Sequence, residues 1–164
     1  MSGSGNNKIG QLFVSGVISG TQNATGAPSM TEVISEQLRR VEEDASVKAL
    51  VLRIDSPGGE VVATDEIHSR LLRLKQVRHI PIVISMGSTA ASGGYYLATS
   101  GDAIFANPNT LTGSLGVIFN LVNYNEAANK LGIHQYAIKS GRFKDIGSPS
   151  RPLTDPSENP QQTM

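Results

Sequence analysis

Apolar residues recur along the chain in short bursts, and the spacing of those bursts alternates between the two regular periods. Lys8 to Gly16 carries Ile9, Leu12, Phe13 and Val14, with Val17 close by and glycines at its margins, which predicts a first strand. Ser19 to Pro28 is rich in Gly, Ser, Thr and Asn and reads as a loop. Ser29, with Glu32 three positions on, forms a capping-box signature for a helix. Met30, Val33, Ile34, Leu38 and Val41 then fall on one side of that helix, and Glu36, Arg39, Arg40, Glu42 and Glu43 mostly on the other. Ala49 to Ile54 is almost continuously aliphatic, as expected of a strand buried on both faces.

Ser56-Pro57-Gly58-Gly59 breaks that strand, and a second helical pattern runs from about Thr64 to Val77 with Ile67, Leu71, Leu72 and Leu74 inward. The alternation continues with a strand over Pro81 to Met86, a short helix over Ala90 to Thr99 and a strand over Ala103 to Ala106. Val117 to Phe119 is a further apolar piece, Asn123 to Leu131 reads as a helix and His134 to Lys139 as a strand. Strands alternating with helices imply parallel βαβ units with right-handed crossovers, hence an α/β layered domain. No internal repeat and no interdomain linker interrupts it.

Length and charge narrow what such a domain does. With 164 residues the chain is long enough for one domain with a core, and 14 basic against 14 acidic residues leave no global field for a nucleic acid or an anionic membrane. No local basic patch replaces that field, so nucleic acid is not an expected partner. The absence of cysteine removes thiol nucleophiles, disulfides and Cys-ligated zinc, and no other metal set stands out. No apolar stretch approaches the roughly 18 to 20 residues of a membrane-spanning helix, so the chain reads as soluble. Residues 1–7 read as a small-residue leader, and 155–164 as a polar tail that closes without an apolar periodic segment.

Three glycine-containing turns hold the candidate chemistry: Ser56 to Gly59, Gly87 to Gly94 and Leu111 to Gly116. The first two follow predicted strands, where open parallel sheets place their ligands. Glycines there serve tight turns with positive φ, or they let backbone N–H groups approach a developing oxyanion. Ser92 is a nucleophile candidate near the start of a predicted helix, yet serine is also a preferred N-cap, and from Ser92 alone capping outweighs catalysis. Ser88 and Ser114 are rivals; the small neighbours in Ala90-Ala91-Ser92-Gly93-Gly94 favour Ser92 by leaving room for a peptide carbonyl.

A serine needs a base, and His68, His79 and His134 all lie outside the glycine-rich turns. The alternative is a lysine kept neutral by burial, as in Ser-Lys dyads. Bringing a lysine from about 10.4 to about 7 disfavours its charge by about 4 to 5 kcal/mol, so such a site must be desolvated. Lys139 and Lys144 flank Ser140-Gly141, although any one lysine is more simply a solvated charge.

Four segments taken together carry a resemblance: Ile54 to Gly59, Met86 to Tyr96, Leu111 to Ile118 and Lys139 to Pro149. In order and spacing, from about Lys8 to Thr154, they resemble the signal peptide peptidase A (protease IV) family of bacterial Ser-Lys proteases. The resemblance implies Ser92 as nucleophile, Lys144 as general base, Gly59 and Gly93 as backbone oxyanion donors and Ser114 as the residue that orients the lysine. It implies a Clp-protease and crotonase-like α/β fold with residues 8–154 as catalytic domain, no cofactor, and peptide substrates such as cleaved signal peptides. Subunits of the family assemble into a ring or dome in which the lysine reaches a neighbour's serine, so a homo-oligomer with shared sites is expected. Family members continue past the equivalent of Thr154 and usually begin with a membrane anchor, so the chain reads as a fragment, truncated at its C-terminus, of an anchored extracytoplasmic bacterial protein. Two rival readings remain. One is a crotonase-type acyl-CoA enzyme using Asp55, Glu60 or Asp65; the other is a non-catalytic assembly module that keeps the motifs as turns.

Overall fold

The computed structural model describes residues 7–22, 26–118, 120–141, 144–145 and 147–151. The chain divides into two compact units, Met1–Val117 and Ile118–Met164. In the first, β1 (Lys8–Ser15), α1 (Met30–Glu43), β2 (Val47–Ser56), α2 (Val61–Arg78), β3 (Ile82–Ala91), α3 (Gly93–Ala98), β4 (Ala103–Phe105) and β5 (Leu111–Gly113) follow one another. The strands lie side by side in the order β1-β2-β3-β4, with β5 also on β3, and every pairing is parallel. The second unit contributes α4 (Asn125–Lys130).

The first helix begins as its sequence dictates. Ser29 accepts the Glu32 N–H and the Glu32 carboxylate accepts the Ser29 N–H, a complete capping box. Leu12 and Val14 of β1, Leu50, Leu52 and Ile54 of β2, and Ile82, Ile84 and Met86 of β3 are buried with Ile34, Leu38 and Val41 of α1 and Ile67, Leu71 and Leu74 of α2. β2 is not buried on both faces as its aliphatic run predicts. Its burial alternates, with Ala49, Val51 and Arg53 half-buried, because α1 and α2 cover one face only. Leu72 and Val33 likewise fall outside the buried stripe, and Thr64 takes an inward place.

Three further expectations are corrected. β3 continues through Gly87 to Ala91, where a turn and then a helix from Ala90 are predicted, because Thr89, Ala90 and Ala91 pair with Leu111, Thr112 and Gly113. The same pairing makes Leu111–Gly113 a short strand rather than part of a turn. His134–Lys139 forms no strand: its alternation is present, but among the described residues it finds no ladder to join. Val117 and Ile118 stand outside any element, and Phe119 lies outside the described residues.

The length of β3 has a local cause. Ile54 pairs with Met86 and Ser56 with Ala90, so three residues of β3 oppose Asp55 alone. This bulge is held by Thr89 N–H donating to Asp55 Oδ1 at 2.9 Å, and a Cβ on Gly87 would meet the Asp55 carboxylate at 2.6 Å. Beyond the bulge β3 runs with β5 to the β3–α3 junction.

Candidate active site

Ser92 occupies that junction with φ 51° and ψ −120°, a left-handed conformation that costs a non-glycine residue about 1–3 kcal/mol. Two backbone bonds impose it. Ser92 N–H donates to Gly113 C=O at 2.8 Å, tying the junction to the end of β5, and Tyr96 N–H donates to Ser92 C=O at 2.9 Å. Ser92 therefore stands at the N-cap position of α3, yet its side chain makes no capping bond. The capping role that outweighs catalysis in the sequence is not the one its hydroxyl plays.

The loop Ser56–Gly59 packs against this residue. Gly58 has φ 97°, and a Cβ there would lie 2.7 Å from Gly93 N and 2.9 Å from Ser92 Cβ. Buried Ser56 fixes the turn, its Oγ accepting the Gly58 N–H at 3.1 Å. Gly59 is threaded against Ile18: Ile18 N–H donates to Gly58 C=O at 3.0 Å and Glu60 N–H to Ile18 C=O at 2.9 Å, so any side chain on Gly59 would overlap Ile18 backbone. Gly93 opens α3, where first-turn N–H groups lack intrahelical acceptors. Thr64 of α2 backs it, with Oγ1 2.8 Å from where a Cβ would sit, and that hydroxyl is held by Glu60 C=O at 2.8 Å. Ser92, Gly59 and Gly93 are thus brought into one locality. Ser114 is exposed and follows Gly113; both have positive φ, 52° and 81°.

The nearby carboxylates are engaged in structure. Asp55 holds the bulge, Glu60 accepts Ser19 Oγ at 3.1 Å and Gly20 N–H at 2.9 Å, and Asp65 accepts Tyr96 OH at 3.1 Å. His68 lies 3.1 Å from Thr99 Oγ1 and packs on the Tyr96 ring at 4.4 Å, and burial pushes its pKa down. His79 is the αL C-cap of α2. Among the described residues no group of three or more His, Cys, Asp or Glu is placed to hold a metal ion.

Lys144 belongs to the second unit, where it is exposed and its N–H donates to Gly141 C=O at 3.3 Å. Its neighbour Asp145 accepts Lys139 Nζ at 2.7 Å and Arg151 Nη1 at 2.8 Å. Reading the residues missed Gly58, Thr64 and the Gly113 carbonyl. Gly58 lies in a quoted motif, but only the close approach of two loops shows what it does.

The pattern of peptidase family S49 matches residues 75–164 and that of Clp protease matches residues 4–112. The chain is 38% identical over 165 residues to an Enterococcus faecium protein that bears the provisional name signal peptide peptidase SppA, covering 99% of this chain and 47% of that one. It is 34% identical to Protease 4 of Haemophilus influenzae, covering 96% and 25%, and 35% identical to the chloroplastic serine protease SPPA of Arabidopsis thaliana, covering 91% and 22%. The chain therefore spans less than half the length of each of these curated relatives. Among solved structures it resembles a serine-to-alanine variant of the 1510-N membrane-bound stomatin-specific protease, with a TM-score of 0.57 and 21% identity over 78% of this chain and 60% of that one. A lysine-to-alanine variant of that protease in complex with a substrate peptide gives a TM-score of 0.55 and 24% identity over 70% and 48%. The fold is the Clp-protease-like α/β fold. No described helix is long and apolar enough to cross a membrane.

Proposed function

The chain belongs to peptidase family S49, and from that premise we propose that it is a serine endopeptidase in which Ser92 is the nucleophile and Lys144 its general base. The observation that carries this reading is the strained, uncapped Ser92 set against the Gly58–Gly59 loop. Strain of this kind persists only where the surroundings over-determine it, and it concentrates at reacting residues.

In this mechanism the neutral Lys144 amine takes the Ser92 proton as Oγ attacks a peptide carbonyl. The Gly59 and Gly93 N–H groups receive the oxyanion, and the ammonium returns its proton to the departing amine. Water, deprotonated by the same lysine, then releases the acyl group. Ser114 orients the lysine by a hydrogen bond. Lys144 is exposed in the single chain, whereas a neutral lysine needs desolvation. That mismatch supports a homo-oligomer in which a neighbouring copy completes the site. Substrates are apolar peptides such as cleaved signal peptides, met by a membrane-anchored parent protein outside the cytoplasm.

The structural work of Asp55, Glu60 and Asp65 argues against the acyl-CoA reading, which needs free carboxylates beside the glycines. The test is a fluorophosphonate probe and a fluorogenic apolar peptide, applied to the wild type, Ser92→Ala and Lys144→Ala with native mass measured alongside. Labelling at Ser92, with both variants inactive and folded, supports the proposal. Turnover retained by either variant sinks it, and an unreactive Ser92 in an intact oligomer favours the assembly module.

A further inference from the structure

In the second unit, residues 131–151 form neither helix nor strand among the described positions. Backbone turns hold little of this segment: Lys144 N–H to Gly141 C=O at 3.3 Å and Ser148 N–H to Asp145 C=O at 3.0 Å. The side chain of Asp145 does more. Its Oδ1 accepts Lys139 Nζ at 2.7 Å and Arg151 Nη1 at 2.8 Å, and its Oδ2 accepts Lys139 Nζ at 2.8 Å. The two cations lie six residues before and six after the carboxylate, so one side chain closes the loop from both directions. The Asp145 side chain is only 18% exposed, which sets this cluster apart from the solvated pairs along α1 and shields it from screening.

The residue next to this hub is Lys144. A free carboxylate beside a lysine favours its protonated form, whereas neighbouring cations disfavour it. Among the described residues of the segment the fixed charges are Lys139, Asp145 and Arg151, with His134 before them; Arg142 lies outside the described residues. With Asp145 bound by two cations, a protonated Lys144 would be the third positive charge around a single negative one.

We propose that Asp145 is a positioning residue for Lys144: by binding Lys139 and Arg151 together it fixes the loop that presents the lysine and keeps its own carboxylate from serving as that lysine's counter-ion. This rests on the reading of Lys144 as general base. Charge and anchoring make separable predictions. Lys139→Met or Arg151→Met removes a cation and frees Asp145, so Lys144 should titrate about half a pH unit higher. Asp145→Asn removes the anion, so Lys144 should titrate lower by a similar amount while turnover falls roughly tenfold from loss of anchoring. Asp145→Glu should recover part of that turnover.

The experiment measures the Lys144 amine directly, by competitive acetylation of the chain across pH with mass-spectrometric quantitation of its peptide, beside pH profiles of peptide turnover. Opposite shifts in the cation and anion variants support the inference. Unmoved titration, or shifts of one sign in all three, overturns it, since loosening of the loop alone would not reverse sign. If Lys144→Ala keeps wild-type turnover, the general-base reading fails instead, and the amine titrations still report on the hub.

Discussion

Gly58 and Ser92 stand so close that a methyl group on the first would lie 2.9 Å from the Cβ of the second. The same methyl would lie 2.7 Å from Gly93 N, a backbone atom that cannot swing aside. The turn after β2 and the turn after β3 are therefore one packed object, and the conformation of Ser92 depends on a glycine more than thirty positions earlier in the chain.

Gly58→Ala is expected to injure both stability and site. At φ 97° alanine is strained before any clash, so the variant should lose about 1–3 kcal/mol. Relief of the clash must push Ser92 or Gly93 away, so probe labelling of Ser92 should fall roughly tenfold or more at a temperature where circular dichroism shows an intact fold. Labelling at the wild-type rate in a folded variant would mean that the contact does not set the geometry of Ser92.

Much of this arrangement is legible from residues alone, and the parts that are not share a physical reason. The capping box at Ser29 and the inward stripe of Ile67, Leu71 and Leu74 depend on local spacing, and the structure reproduces them. The course of Gly87 to Ala91 depends on a partner strand, Leu111–Gly113, some twenty residues away, and a glycine-rich segment read locally looks like a turn. The same holds for the site. Glycine-rich loops at strand ends mark where chemistry can sit, but the Gly58–Ser92 approach and the Thr64–Gly93 contact are long-range facts. Ser92 shows the difference most plainly: serine before a helix is locally a cap, and only the bond from its N–H to Gly113 explains why it adopts a conformation in which its hydroxyl caps nothing.

His79 offers a stabilising change. It ends α2 in the left-handed conformation at φ 51°, and its N–H already closes the helix onto Lys75 C=O at 2.9 Å. Glycine suits that position without the Cβ penalty. His79→Gly should raise the stability by roughly 0.5–1 kcal/mol in urea titration and leave Ser92 labelling unchanged. A lower midpoint would show that the imidazole makes a contribution larger than the strain it bears.

Acid should weaken the α1–β2 connection through Asp44. The Ser46 hydroxyl, the Ser46 N–H and then Lys8 lower its carboxyl to about 2 from an ordinary 3.8. A folded-state value below the unfolded one means the contribution is complete above about pH 4 and disappears as the pH falls towards 2. Glu36, bonded by Arg39 and Arg40, is also held at about 2 and adds to the same slope. Asp44→Asn should therefore be less stable than the wild type at neutral pH, with the gap closing between pH 4 and 2 in thermal melts; a constant gap would show that Asp44 acts through something other than its charge.

Arg78 separates stability from the site. At the C-terminus of α2 it donates through Nη1 to Val41 C=O and Glu42 C=O, both at 2.6 Å, and through Nη2 to Asp44 C=O and Val47 C=O, both at 3.2 Å. These carbonyls end α1 and begin β2, where a helix leaves its last C=O groups without partners, and a planar five-donor head can reach several at once as an ammonium cannot. They also lie at the N-terminal end of the sheet, whereas Ser92 and Gly59 lie beyond the C-terminal ends of β3 and β2. Arg78→Met keeps the apolar stem and orphans the carbonyls, and should cost about 2 kcal/mol, or about 4–8 °C of melting temperature. Arg78→Lys should recover only part of that. In both variants Ser92 labelling well below the melting temperature should match the wild type, because no contact of Arg78 reaches the β3–α3 junction; a loss of labelling in a folded Arg78→Met variant would show that the two ends of the sheet are coupled.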